Sequence, residues 1–332
     1  MDEKARPPGS GPQPDDQTTG GAATAESAGL TLRHVLRGFR HDRVTVAALL
    51  FLSTLIFLVV FADLLLPHDA LTQNLRARLQ PPMSTPPEGG FPHVLGTDPL
   101  GRDLLARIIH GGRVSMTVGL LSVLLSGIFG VFIGLIAGFY RGRIDTVLSR
   151  IVDVMIAFPT FLAAIFVLFL VGRGFWNVIL VLALVRWHVY ARVTRGLAMS
   201  YRESPFIEGA RAIGCTDRRL IFRHLVPNLI SPILVLATLE VALVIIAEAG
   251  LSFLGLGVRP PTPSWGIEIA GSRAYLRDAW WLVTFPGLTI FLTTLSLNLT
   301  ATWLRTITDP VQRWRWVSSG RRSVAAASEE DL

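Results

Sequence analysis

The chain has 332 residues, of which 51% are apolar and 17% are charged, with a formal net charge of +7. Soluble domains carry about 25% charged residues, and the apolar residues here fall into blocks of about 20 residues, the length that crosses a bilayer. This distribution excludes a soluble globular domain and a disordered chain, and the single cysteine, Cys215, excludes a fold built on intrachain disulfides.

The N-terminal 43 residues contain no block of this kind. Residues 1–30 are rich in Gly, Pro, Asp, Thr and Ala, a composition too poor in apolar groups to offset the entropy of ordering, so we expect a disordered cytosolic tail. Residues 31–43 are basic and weakly amphipathic. They could lie along the membrane surface as a juxtamembrane segment or form a solvated linker.

The next part of the chain, 44–310, is predicted to be an all-α transmembrane domain with six spanning helices. Each candidate span is long enough to cross about 30 Å of hydrocarbon. The fourth is the weakest, because Arg186 and His188 interrupt it. The six candidates are residues 44–66, 114–140, 151–171, 176–193, 229–256 and 280–304.

Arginine counts predict the orientation. With the N-terminus inside, the inner segments carry 19 arginines and the outer segments 9, which favours both termini in the cytosol. The loop at 67–113 is then external, the loop at 197–228 is cytosolic, and 311–332 is a cytosolic tail. Because the arginines flank apolar blocks instead of forming one basic face, we expect a lipid bilayer as their partner and no nucleic acid.

The cytosolic loop carries signals for two short helices. Ser204 is a good N-cap, and Pro205 suits the first helical position, where its missing N–H costs nothing. Gly214 is predicted to end this helix. A second helix is expected over 218–226, ending before Pro227.

The first of these helices has one apolar face and one face of small residues. Phe206, Ala210 and Ile213 recur at helical spacing and predict the apolar face. Gly209 and Ala212 suit close packing against another protein. A solvated loop with two incidental helices is the alternative, but a rigid elbow joined to a spanning helix could also transmit force from a partner.

Here the sequence resembles a family. The string Glu208-Gly209-Ala210, followed by Gly214 and Pro227, is similar to the Glu-Ala-Ala loop of binding-protein-dependent ABC importer permeases. Gly209 stands where Ala is usual, and Val226 where Leu is usual. Gly209 lowers helix propensity by up to about 1 kcal/mol.

Four further segments resemble the dipeptide, oligopeptide and nickel permeases of that family, and in particular their C-type subunit. They occur in the family's order and are residues 96–120, 153–162, 249–266 and 285–287. The resemblance implies a type I importer permease in the bacterial cytoplasmic membrane that transports di- or oligopeptides, with nickel or another small solute as the alternative.

The resemblance also implies partners. These are a homologous second permease, two ABC ATPase subunits, and an extracytoplasmic binding protein that delivers peptide to the outer loops. One ATPase would dock on the cytosolic loop. The residues expected to couple the chain to it are Pro205, Phe206, Glu208, Gly209, Ala210, Arg211, Gly214, Arg218, Arg219 and Pro227.

No motif for chemistry is present in the sequence. There is no GxxxxGK[ST] phosphate loop, GxSxG elbow or HExxH motif, and no His, Cys and Asp residues have metal-ligand spacing. We therefore expect a transport subunit that is not an enzyme and has no cofactor, with ATP and Mg²⁺ bound by the ATPase subunits. An integral membrane enzyme and an ion channel are the alternatives from other classes.

Ionisable residues inside a bilayer suggest function. Glu240 and Glu248 are eight residues apart and can share one helix face, which we expect to look toward the partner permease or an aqueous cavity; a structural ion pair is the alternative. Arg186 could pair with Glu240 or Asp153, or snorkel.

Three residues that shape the backbone are candidate gate positions. Gly250 and Gly255 interrupt the fifth span near its outer end, where a gate could bend or backbones could approach. Pro159 is expected to kink the third span, either for gating or for packing.

Overall fold

A computed structural model describes residues 43–87 and 89–308. The tail predicted at 1–30, all but the last residue of the basic segment at 31–43, and the tail predicted at 311–332 lie outside the described residues. Within the described part the chain is helical, and the antiparallel bridges Ser84–His93 and Thr97–Asp103 are isolated ones outside any strand.

Eleven α-helices are numbered here in chain order. They are α1 Arg43–Val60, α2 Ala62–Leu65, α3 Leu104–Tyr140, α4 Gly142–Ala157, α5 Thr160–Val171, α6 Phe175–Arg202, α7 Pro205–Ala212, α8 Asp217–Arg219, α9 Val226–Phe253, α10 Trp265–Gly271 and α11 Trp281–Thr308. Short 3₁₀ turns at Leu75–Ala77 and Arg273–Tyr275 and a π-helical stretch at Leu220–Leu225 complete the described elements.

Five helices in the described residues are long and apolar enough to cross a membrane: α1, α3, α6, the continuous helix from α8 to α9, and α11. The pair α4 and α5 together makes a sixth candidate, bent by 88° at a short break. The predicted six spans correspond to these elements in order, with the bent pair at the place of the third.

Pro159 causes the break between α4 and α5. Phe158, the residue before it, is extended with φ −88° and ψ 133°, the conformation that a following proline favours. The structure therefore has a complete helix break where the sequence predicted a kink.

Helix α3 is longer than the predicted second span. It has 37 residues, which is about 55 Å at about 1.5 Å per residue, whereas the hydrocarbon core is about 30 Å thick. The helix begins at Leu104, inside the loop predicted to be external, and continues into the span without a break. Asp103 caps the helix, because its side chain accepts a hydrogen bond of 2.8 Å from the Ala106 N–H.

Helices α3 and α6 approach closely along a glycine stripe. A Cβ atom at Gly130 or Gly134 would lie 2.2 Å from the carbonyl oxygen of Trp187 or 2.3 Å from that of Ala191. Only glycine lets the two backbones come this near. This contact sets the spacing of the central pair of helices.

Four clusters of buried apolar residues form the core of the described residues, and the smallest packs Val152 of α4 against Trp187 and Ala191 of α6. One joins α3, α5, α6 and α9, and a second joins α1, α3, α10 and α11. The third lies at the C-terminal ends of α3 and α6 and includes Phe139, Ile207, Leu220, Leu225 and Leu229. This third cluster attaches α7 and the start of the long α8–α9 helix to the rest of the chain.

Candidate coupling elbow and membrane-embedded charges

Residues 204–227, which we call the elbow, contain α7, a glycine turn and the start of the α8–α9 helix. The backbone carbonyl of Ser204 accepts hydrogen bonds from the N–H groups of Ile207 and Glu208 at 3.0 and 3.2 Å. The sequence predicted that the Ser204 side chain caps α7. Its hydroxyl instead donates to the carbonyl of Tyr201 and makes no cap hydrogen bond. Pro205 occupies the start of the helix, as predicted.

Gly214 ends the first arm of the elbow. Its φ is +85°, a left-handed conformation that glycine adopts without steric cost. Its N–H donates to the Arg211 carbonyl at 3.0 Å, and the next N–H, of Cys215, donates to the Ala210 carbonyl at 3.1 Å. These bonds satisfy carbonyl groups that the end of a helix leaves free, so the prediction of a glycine stop is confirmed.

The predicted apolar face of α7 is wrong. Ile207 is the side chain that packs into the body of the protein, with 1% of its surface exposed, whereas Phe206 and Ile213 are 46% and 82% exposed. Ala210 is partly buried against the same cluster as Ile207. The helix has apolar groups around much of its circumference, so its spacing alone does not select the face that a neighbouring helix covers.

The outer surface of the elbow combines exposed apolar and charged groups. Phe206 and Ile213 lie there together with Phe222, which is 71% exposed. The other exposed members of the predicted coupling set are Pro205, Glu208, Gly209, Arg211, Gly214, Arg218, Arg219 and Pro227. Large apolar side chains with a charged surround are typical of protein-binding surfaces.

The second arm of the elbow does not end before Pro227. Residues Asp217–Phe253 form one helix, which passes through the π-helical stretch Leu220–Leu225. In a regular α-helix the proline ring collides with the carbonyl one turn earlier. The wider π-helical turn lies directly before Pro227 and changes that spacing, so the helix continues and joins the elbow rigidly to the fifth span.

The charged residues within the spans are paired inside the chain. Arg186 on α6 makes a salt bridge with Glu240 on α9, with Nε 2.8 Å from Oε2. Of the partners left open by the sequence, Glu240 is therefore the one observed. Asp153 is instead 3.3 Å from Arg192.

Glu248 lies at a polar junction of three helices. Its carboxyl group is fully buried and accepts hydrogen bonds from the Ser115 hydroxyl at 2.8 Å and the Ser252 hydroxyl at 2.7 Å. Ser115 also accepts a 3.3 Å bond from the backbone N–H of Trp265 on α10. Glu240 and Glu248 thus face the interior of this chain, which corrects the expectation that they face a partner or a cavity.

The two glycines and the proline proposed as gate positions have different surroundings. A Cβ at Gly250 would lie 3.2 Å from the ring of Phe161, so α9 meets the start of α5 just after the break at Pro159. Gly255 has a φ of +78° and follows the end of α9. Gly250 and Pro159 therefore belong to one helix contact, and Gly255 does not.

Sequence reasoning missed a buried ion pair between the two loops predicted to be external. Arg107 donates from Nε and Nη2 to Glu268 at 2.8 and 2.6 Å, and from Nη1 to the Ala70 carbonyl at 3.0 Å. Both charged side chains are buried. The one signal in the sequence was an arginine within the apolar start of α3, and its partner lies 161 residues away.

Comparisons with known proteins place the chain in a family. Residues 130–314 match "Binding-protein-dependent transport system inner membrane component", and residues 31–82 match "N-terminal TM domain of oligopeptide transport permease C". The first match alone spans more than half of the chain. The chain belongs to the binding-protein-dependent transport permeases. It is a membrane component of an ABC importer, which confirms the resemblance seen in the sequence.

Curated relatives of the permease match it over most of their length. It is 40% identical over 280 residues to the di/tripeptide transport system permease protein DppC of Pseudomonas aeruginosa (strain UCBPP-PA14), covering 84% of this chain and 92% of that protein. It is 39% identical over 278 residues to the glutathione transport system permease protein GsiD of Pectobacterium atrosepticum, covering 84% and 90%.

A solved structure shares the fold. A chain from the inward-facing MetNI methionine ABC transporter, in its CY5 native crystal form, matches with a TM-score of 0.52 and 16% identity over 62% of this permease and 98% of that chain. The predicted fold class, an all-α multi-pass permease of the type I importer kind, is confirmed. The roles of the elbow and gate residues stay predictions.

Proposed function

We propose that the permease forms half of the translocation pathway of an ATP-driven importer for di- and oligopeptides in a bacterial cytoplasmic membrane. A homologous second permease supplies the other half. Two ABC ATPase subunits bind ATP and Mg²⁺ on the cytosolic side, and an extracytoplasmic binding protein delivers peptide. Both termini of this chain are cytosolic, and the chain itself carries no cofactor.

The observation that carries this proposal is the rigid connection between the elbow and the fifth span. Residues Asp217–Phe253 are one helix, and Ile207 anchors the first arm in the cluster at the ends of α3 and α6. The Arg211 guanidinium lies 6.0 Å from the ring centroid of Phe139 on α3, which adds a second attachment. A displacement of the elbow therefore moves three spans together.

The proposed mechanism is alternating access. Closure of the ATPase pair on ATP moves the elbow as a rigid body, and the attached spans tilt, so that the cavity between the two permeases opens outward. Peptide enters from the binding protein, and hydrolysis returns the cavity to the inward-open state. Each step is a shift between two conformations, and the chain makes or breaks no covalent bond.

The peptide class rests on relatives, since DppC and GsiD are named as di/tripeptide and glutathione permeases. Nickel, the other solute that the sequence left open, has no support among them. The two carboxylates in the fifth span are engaged within the chain by Arg186 and by serines. Peptide binding through backbone and apolar groups is consistent with this arrangement.

The coupling role of the elbow is tested by Ile213→Asp. The exposed Ile213 side chain is expected to bury against the ATPase, and a carboxylate there would lose its hydration without a partner. We expect the ATPase to be lost from the purified complex and ATP-driven uptake into proteoliposomes to cease. Leu75→Asp, at a side chain 68% exposed in the outer loop, is the control and should keep the ATPase bound. Normal ATPase retention and uptake in Ile213→Asp would refute the coupling role.

The substrate class is tested separately. A binding protein that associates with the purified importer is isolated from cells, and its bound ligand is identified by mass spectrometry. A di-, tri- or oligopeptide supports the proposal. A bound metal ion or another small solute would contradict the peptide assignment while leaving the family membership unaffected.

A further inference from the structure

The loop at 67–113 brings together three side chains that can bind a metal ion. His68, His93 and Asp103 each offer one ligand atom, and these atoms all lie within 4.8 Å of one another. His93 and Asp103 are buried and His68 is half-buried. The spacing of these residues in the sequence did not indicate such a cluster, because the three are far apart along the chain.

The fold holds all three residues by bonds that do not involve a metal. His93 lies in the isolated bridge with Ser84, where its N–H donates to the Ser84 carbonyl at 2.8 Å. Asp103 caps α3 through Oδ1, which leaves Oδ2 directed at His93. His68 contacts the Phe91 carbonyl through Nε2 at 3.0 Å. The ring centroids of the two histidines are 4.7 Å apart.

The hydrogen bonds of these side chains leave one atom of each available to bind a metal, as in known metal sites. A ligating histidine commonly donates its other N–H to a backbone carbonyl, and the His68 Nε2 contact with the Phe91 carbonyl leaves its Nδ1 with a free lone pair. The Nδ1 of His93 and the Oδ2 of Asp103 lie 2.9 Å apart, within hydrogen-bond distance, and a cation can take the place of the proton between them.

We propose that His68, His93 and Asp103 bind a divalent transition-metal ion, with Zn²⁺ as the representative. Two imidazoles and one carboxylate suit Zn²⁺ and neighbouring metals, whereas Mg²⁺ and Ca²⁺ prefer oxygen ligands alone. Ligands about 2.1 Å from a tetrahedral Zn²⁺ are about 3.4 Å apart. Movement of the half-buried His68 side chain, with a widening of the 2.9 Å separation between His93 and Asp103, would bring the ligand atoms to that spacing, and a water molecule would complete the coordination.

The ion would connect three parts of the loop. His68 follows α2, His93 lies in the Ser84–His93 bridge, and Asp103 begins α3. Metal binding would therefore fix the loop on the end of the second spanning helix. The binding site itself does not depend on which solute the permease transports.

The first test measures Zn²⁺ binding to the intact transporter, purified without a polyhistidine tag and stripped with a chelator. The wild type should bind one more equivalent of Zn²⁺ than His68→Gln. Asp103→Asn should also lose that equivalent, because the amide oxygen is neutral and is a poorer Zn²⁺ ligand than a carboxylate oxygen, while asparagine still caps the helix. The matched control is His110→Gln. His110 lies on α3 near the cluster, but its ring nitrogens contact the Ala106 carbonyl and Asp63, so this variant should bind as the wild type does.

A second test leaves the two buried ligands, His93 and Asp103, unchanged. Co²⁺ bound to His68→Cys should give a thiolate-to-cobalt charge-transfer band that is absent from the wild type, whose Cys215 lies in the elbow. Equal Zn²⁺ equivalents in the wild type and His68→Gln, or no new band with Co²⁺, would overturn the proposal. Loss of an equivalent in His110→Gln would also overturn it, by placing the ion beside Asp63 instead.

Discussion

The contact between α3 and α6 gives a prediction whose size follows from the structure. In Gly134→Ala, the new Cβ would lie 2.3 Å from the Ala191 carbonyl oxygen and 2.9 Å from the Thr194 Cβ. An ordinary contact at such a Cβ is 3.4–4 Å, so the overlap is about 1 Å. Because the nearest atom is backbone, no side-chain rotation relieves the overlap and the helices must separate. Overpacking of this kind costs about 1–3 kcal/mol.

Gly127 on the same helix is the matched control. A Cβ there would lie 3.5 Å from the ring of Tyr190, which is an ordinary contact. Both substitutions gain the same helix propensity, so that gain cancels when the two variants are compared. In an SDS titration of the purified permease, we expect the free energy of unfolding of Gly134→Ala to be about 1–3 kcal/mol lower than that of Gly127→Ala. Equal unfolding free energies for the two variants would refute the close approach of the helices.

Three further predictions concern the elbow, the Arg186–Glu240 ion pair and an exposed carboxylate. Gly214→Val should retain membrane insertion but lose uptake and substrate-stimulated ATP hydrolysis, because a β-branched residue is strained at a φ of +85°; wild-type coupling would count against it. Arg186→Ala should lower the free energy of unfolding by about 3–5 kcal/mol, because Glu240 stays buried without its partner. In SDS unfolding, the double variant Arg186→Ala/Glu240→Ala should lose less stability than the sum of the two single variants. The pKa of Asp63 lies below its ordinary value of 3.8 because an arginine and a histidine donate hydrogen bonds to the carboxylate. Its stabilising effect is thus present above pH 3.8 and is lost as the pH falls through the lowered pKa. Unfolding at low pH can be followed by tryptophan fluorescence. Asp63→Asn should lose less stability than the wild type as the pH falls, and an equal loss in the two proteins would contradict the prediction.

The spans could be predicted because the bilayer fixes their length and polarity. The limits of the spans could not, since the sequence does not show that the helical stretch after Asp103 and the second span form one continuous helix, Leu104–Tyr140. Pro159 and Gly214 were located correctly because both act through local backbone geometry: one prevents a helix from continuing, and the other adopts a positive φ.

Features that depend on distant partners were missed. Ile207 shares its buried cluster with Phe139 of α3 and with Leu220 and Leu225 of the π-helical stretch, and periodicity within eight residues does not contain that information. The Arg107–Glu268 pair and the cluster of His68, His93 and Asp103 join residues far apart in sequence. Such contacts follow from the tertiary fold and leave no spacing that a single sequence displays.

The positions of the ionisable groups narrow the source of substrate selectivity. Glu240 is held by Arg186 on the neighbouring span, and Glu248 by two serine hydroxyls. Freeing either carboxylate to contact a peptide would break these bonds and leave a charge or its partners unsatisfied in the low dielectric of the span. In the described conformation both acids are therefore engaged within the helix assembly, and a substrate could contact either one only after these bonds break.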